Sequence, residues 1–151
     1  MQTHWSLAAL TDRYPELATV GSVFRCTRAA SGHGQYIKVA GDRRLFADVT
    51  LRIEPYETLV LHLHHTWPSH LSEQEREGLD EALFRGLMDA VCHPGHQSFG
   101  CRITTETASY KNGETVPLAV TIAAHAAVFD VLKQGGWDGD EPDSPALAQT
   151  R

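Results

Sequence analysis

The sequence predicts an α+β domain in which a mixed sheet of four to five strands carries two helices on one face. Three observations lead there. Apolar and polar residues alternate with a period of two in several stretches between residues 20 and 64, and again between 99 and 107. Two longer stretches, 72–92 and 117–134, instead repeat their apolar residues every 3.6 positions. Finally, 151 residues of which 42% are hydrophobic can bury one core but hardly two. The resulting order of elements is ββββαβα.

Residues 1–19 form an N-terminal extension with a Tyr14-Pro15 break and one helical turn around Leu7–Leu10. From Val20 the pattern becomes β-like. Val23, Phe24 and Cys26 stand among Arg25, Thr27 and Arg28, then Ala29–Gly34 reads as a glycine turn leading to Tyr36–Ala40, so a hairpin of two adjacent strands is expected. In the clearest strand Leu45, Ala47, Val49, Leu51 and Ile53 face a core while Phe46, Asp48, Thr50, Arg52 and Glu54 face water. Pro55-Tyr56-Glu57 turns the chain into a fourth strand, with Leu59, Leu61 and Leu63 inward. Ser72 and Glu75 make a capping box, and the helix they start carries the stripe Leu79, Leu83, Leu87 and Val91, widened by Phe84 and Met88. His93-Pro94-Gly95 ends it. A fifth strand runs through Phe99, Cys101, Ile103, Thr105 and Thr107 to a turn at Lys111-Asn112-Gly113. Pro117 suits a first helical position, and Leu118, Ile122, Phe129 and Leu132 with several alanines make the second helix apolar nearly all round, hence the more buried one. Gly135-Gly136 stops it, and 135–151 reads as an acidic flexible tail.

The formal charge is −6, and Asp138, Asp140, Glu141 and Asp143 against Arg151 put half of that excess in the tail. An overall basic footprint for nucleic acid is therefore excluded, and any RNA contact must be local. Three cysteines cannot all pair with one another, and the chain opens without a basic–apolar–small leader, so a reducing cytoplasm is expected. The longest apolar stretch, near Ala123–Val128, is interrupted by His125 and too short to span a bilayer.

Several strings resemble domain IV of translation elongation factor G and of the related tetracycline-resistance ribosomal-protection proteins. AGDRRLFADVTLRIEP at Ala40–Pro55 matches the family's glycine- and arginine-containing loop that runs into a strand ending in Glu-Pro. ASYKNGETVPLAVTIAAHAAVFDVLKQ at Ala108–Gln134 keeps the register of its second loop and Ala-rich helix, with Ser109, Tyr110, Leu118, Ala119, Ala123, Ala124 and Ala127 matching. LSEQEREGLDEALFRGLMDAV at Leu71–Val91 and FGCRIT at Phe99–Thr104 resemble the helix and strand between. The resemblance covers 20–134. It implies a ribosomal protein S5 domain 2-like fold with a left-handed βαβ crossover, and a tip built from the loops Gly41–Leu45 and Tyr110–Thr115. Carried over by position, the family's loop arginine is Arg43 or Arg44, and Lys111 replaces the histidine after tyrosine. Gly113, Glu114, Thr115 and Val116 stand where the family has acidic and serine residues, so the tip chemistry is only partly kept. No GxxxxGK[ST] is present, which implies an arm without the GTPase that drives it in the factors and without a nucleotide.

The resemblance makes Arg43, Arg44, Tyr110, Lys111 and Asn112 the candidate contacts to the ribosome or another RNA, the cations meeting phosphates and the tyrosine stacking on a base. The competing expectation is a protein-binding or self-associating module that does not bind RNA. A third candidate is a metal site from His62, His64, Cys92, His93, His96 and Cys101. Against it, the spacing fits no usual zinc pattern, and Cys101 falls in the apolar register of its strand. No serine lies in a GxSxG elbow and no cysteine is flanked on both sides by basic residues, so neither catalysis nor a cofactor is expected.

Overall fold

The computed structural model describes residues 1–19, 22–92 and 97–138. In chain order these form β1 (His4–Trp5), α1 (Leu7–Arg13), a 3-10 turn (Pro15–Thr19), β2 (Ser22–Arg28), β3 (Ala30–Ala40), β4 (Arg43–Pro55), β5 (Val60–Leu63), α2 (Glu73–Cys92), β6 (Gln97–Ser109), α3 (Pro117–Gln134) and β7 (Gly136–Asp138). The expected ββββαβα order is present from β2 to α3, within a mixed α+β architecture.

All seven strands join one sheet. At its centre β6 pairs antiparallel with β4 from Cys101 to Ser109, and in parallel with β5 over Arg102–Thr105. Its first residues run parallel to Ser22–Arg25 of β2. Beyond β4 lies β3, which pairs with β4 alone, and β1 extends the other side through β5. The inward residues of β4, Val49, Leu51 and Ile53, are at most 1% exposed. They lie beneath α2 and α3, which pack on each other and on the same sheet face. Leu83, Phe84 and Leu87 of α2 are fully buried, and each such side chain contributes about 1.5–3 kcal/mol over its exposed state. The capping box is reciprocal: Ser72 Oγ accepts from the Glu75 N–H at 3.1 Å and Glu75 Oε1 from the Ser72 N–H at 3.4 Å.

Four expectations need correction. Of the expected glycine turn at Ala29–Gly34, all but Ala29 is strand, and β2 and β3 form no hairpin; β3 pairs instead with β4 in unbroken register from Ala30↔Ile53 to Ala40↔Arg43. Its glycines serve close approach: a Cβ on Gly32 would lie 2.5 Å from Val131 Cβ, and one on Gly34 only 2.0 Å from the Ala123 carbonyl oxygen. Residues 1–19 are not a mere extension, because the Trp5 ring sits 4.5 Å from that of Phe84 and Leu10 has no exposed surface. The stretch after Gln134 begins as strand β7, pairing with β2 and setting Trp137 5.4 Å from Phe99; the remainder of the expected tail, 139–151, lies outside the described residues. And α3, expected to be the more buried helix, buries eight of its 18 residues against nine of 20 in α2, with Leu118 62% and Ile122 36% exposed and Phe129 half-buried.

Candidate functional site

The two loops singled out by sequence meet at one end of the sheet. Gly41 (φ +65°) occupies the first central position of the β3–β4 turn, where a II′-type hairpin calls for glycine. Facing it, Lys111–Thr115 closes on itself through hydrogen bonds from the Glu114 and Thr115 N–H groups to the Lys111 carbonyl, with Gly113 at φ +75°. Thr115, 6% exposed, accepts the Lys111 N–H on its hydroxyl oxygen at 2.9 Å. The Phe46 N–H donates to the Glu114 carbonyl at 3.0 Å and locks the loops together.

Between the loops lies a cleft of about 380 Å³ lined by Asp42, Arg43, Arg44, Asn112, Gly113 and Glu114. Arg44 Nε stands 3.5 Å from Glu114 Oε1, an ion pair too long for a hydrogen bond, and that oxygen is buried with no hydrogen-bond partner. The Lys111 ammonium sits 4.1 Å above the Phe46 ring, a cation–π contact. It explains why Phe46, expected on the wet face, is only 7% exposed. Arg43 is exposed, and its side chain makes no ion pair among the described residues. Three cations and two carboxylates leave this end locally positive on an acidic chain.

Of the five candidate contacts, Arg43, Arg44 and Asn112 share the cleft, while the Lys111 ammonium lies over the Phe46 ring and does not line it. Tyr110 does not: it lines a separate groove with Gln74, Glu75, Gly78 and Leu79, its ring 6.1 Å from that of His70. Sequence reasoning missed Asp42, Phe46 and Thr115. The last had a signal, a threonine four residues after the turn lysine, placed to close the loop.

The metal candidates are dispersed. Among the described residues no group of three or more His, Cys, Asp and Glu is placed to hold a metal ion. His62 and His64 have ring centroids 5.5 Å apart, with His4 5.7 Å from His62. Burial pushes the Cys92 thiol up to about 12 and raises the completely buried Cys101 still further, so neither is a ready thiolate. His93 and His96 lie outside the described residues.

A second polar cluster sits between β6 and α2. Thr105 is fully buried, and its oxygen accepts from the N–H groups of His64 (2.9 Å) and His65 (3.3 Å). With both lone pairs used, its hydrogen goes to His65 Nδ1 at 2.7 Å. This leaves His65 Nε2 to donate to Asp80 Oδ1 at 2.7 Å, which also accepts from Trp67 Nε1 at 2.7 Å. Burial alone would raise the Asp80 carboxyl, but these two hydrogen bonds, together with the nearby charges of His65 and the chain N-terminus, outweigh it and hold the group below its ordinary value. Although a hydroxyl, an imidazole and a carboxylate stand in line, a fully buried, saturated threonine cannot attack a substrate. The cluster ties β5, β6 and α2 together.

Fold and site define an α+β domain with a two-loop cationic tip. No family model and no curated protein matches the chain. Among solved structures it is similar to the crystal structure of ttk003000868 from Thermus thermophilus, with 21% identity and a TM-score of 0.58 over 85% of this chain. The chain spans 20% of that protein's length, so the likeness concerns the fold alone. Among the described residues no helix is long and apolar enough to cross a membrane.

Proposed function

We propose that this protein is a non-enzymatic RNA-contacting module, resembling domain IV of elongation factor G, that engages the ribosome or another structured RNA through its tip in the cytoplasm. The reading is carried by one observation: two loops distant in sequence come together around Arg43, Arg44 and Asn112, with Lys111 alongside. Cations held on tight turns position a protein on a phosphate backbone without reading bases. Arg43 is free to meet a phosphate at once. Arg44 is held by a long, weak pair that a phosphate can replace. Asn112 offers both a donor and an acceptor to a ribose hydroxyl. With Tyr110 turned away, base stacking plays no part.

Sedimentation of cell extract through a sucrose gradient at low salt tests this reading. The protein is expected to travel with ribosomal particles and to leave them as salt rises. Its absence from every ribosomal fraction at low salt would remove the ribosome as partner.

A further inference from the structure

We propose that Glu114 is an internal competitor for Arg44: its carboxylate holds the guanidinium that an incoming RNA phosphate needs, so the tip rests partly masked and opens as the phosphate displaces it. The inference deepens the RNA reading and rests on its phosphate contacts. Arg44 and Glu114 come from the two different loops, and their backbones are fixed independently of their side chains. Arg44 stands in the β3–β4 ladder opposite Val39. The Glu114 N–H donates to the Lys111 carbonyl, and its own carbonyl accepts the Phe46 N–H. Exchange of partners is therefore a side-chain rotation that leaves both loops in place.

The resting pair is easily displaced. Arg44 Nε lies 3.5 Å from Glu114 Oε1, close enough for attraction and too far for a hydrogen bond. That oxygen is nevertheless buried and has no hydrogen-bond partner, a costly state for a carboxylate, which in water is fully hydrated. Both side chains keep a path outward, Arg44 at 47% and Glu114 at 33% exposed. When a phosphate arrives, the guanidinium presents two parallel N–H groups to two of its oxygens, and the released carboxylate turns to solvent and recovers its hydration. Each partner leaves a poor contact for a better one.

Asp42 is the natural comparison. It lines the same cleft and carries the same charge, but makes no ion pair among the described residues. It repels phosphate only through space, an effect that salt screens over about 10 Å at roughly 0.1 M. Glu114 acts by contact as well: while it holds Arg44, Arg43 and Lys111 are the tip cations left to meet phosphate. Apparent affinity falls by the fraction of molecules in which Arg44 is free. An exposed pair of this kind sets that reduction at roughly two- to fivefold.

Calorimetric titrations of the purified protein with inorganic polyphosphate and, separately, with isolated small-subunit ribosomal RNA test the proposal. Glu114→Gln keeps the size of the side chain and should bind both probes roughly two- to fivefold more tightly than wild type. In an Arg44→Gln background most of that gain should vanish. Asp42→Asn should give a smaller gain, the same with or without Arg44, that fades between about 50 and 200 mM salt. The proposal is overturned if Glu114→Gln binds polyphosphate no better than wild type, binding by neither included, or if its gain is as large in Arg44→Gln. If Glu114→Gln gains on polyphosphate through Arg44 while neither protein binds the RNA at low salt, the RNA reading falls and the competition stands.

Discussion

Asp80 accepts hydrogen bonds from two ring N–H groups on a single oxygen, and one of the donors, His65, has a side chain only 2% exposed. Removing the acceptor leaves buried donors without partners, which costs more than the bond itself contributes. Asp80→Ala is expected to lose about 2 kcal/mol, a fall in Tm of roughly 4–8 °C for a domain of this size. The pH dependence follows from the direction of its shift. Since the folded carboxyl titrates below its ordinary value, its contribution is complete above about pH 4 and is lost as pH falls through the folded value. Urea unfolding at neutral and acid pH should therefore show the gap between wild type and Asp80→Ala closing in acid; a constant gap contradicts the assignment. None of this was readable from sequence. Partners brought together from β6 and α2 leave no local pattern.

At the level of elements, glycine misled where tertiary contact decided. Ala29–Gly34 has turn composition, yet its glycines allow α3 to rest directly on β3, and no local signal separates the two uses. Gly34→Ala sets a methyl group against helix backbone that cannot move alone, so a loss of about 2–3 kcal/mol or more is expected. Gly78, in α2 with open space around it, is the control: Gly78→Ala should gain roughly 0.5–1 kcal/mol. Thermal melts of the pair decide the matter, and equal effects would refute the close contact. By contrast, α2 was legible almost to the residue, because Ser72 and Glu75 cap it locally and its apolar stripe is intrinsic to the helix. The exposure of Leu118 and Ile122 was hidden, since periodicity tells which residues share a face but not whether that face is covered.

For the whole molecule, net charge and local charge point in opposite directions. A chain at −6 repels phosphate at long range, yet its two loops gather Arg43, Arg44 and Lys111 at one end. Sequence supplied these residues and, through the resemblance, the pairing of the loops. Only the three-dimensional arrangement reveals that Glu114 restrains Arg44, that Phe46 carries Lys111, and that Tyr110 faces elsewhere. The central claim, that this end meets RNA, is tested most directly by titrating the protein with isolated small-subunit ribosomal RNA across roughly 50–200 mM salt. Three phosphate contacts predict that log K falls with log salt at a slope of about −2, and that Arg43→Ala reduces it to about −1.4. Absence of binding at low salt, or a slope and affinity unchanged by Arg43→Ala and Lys111→Ala, would contradict it.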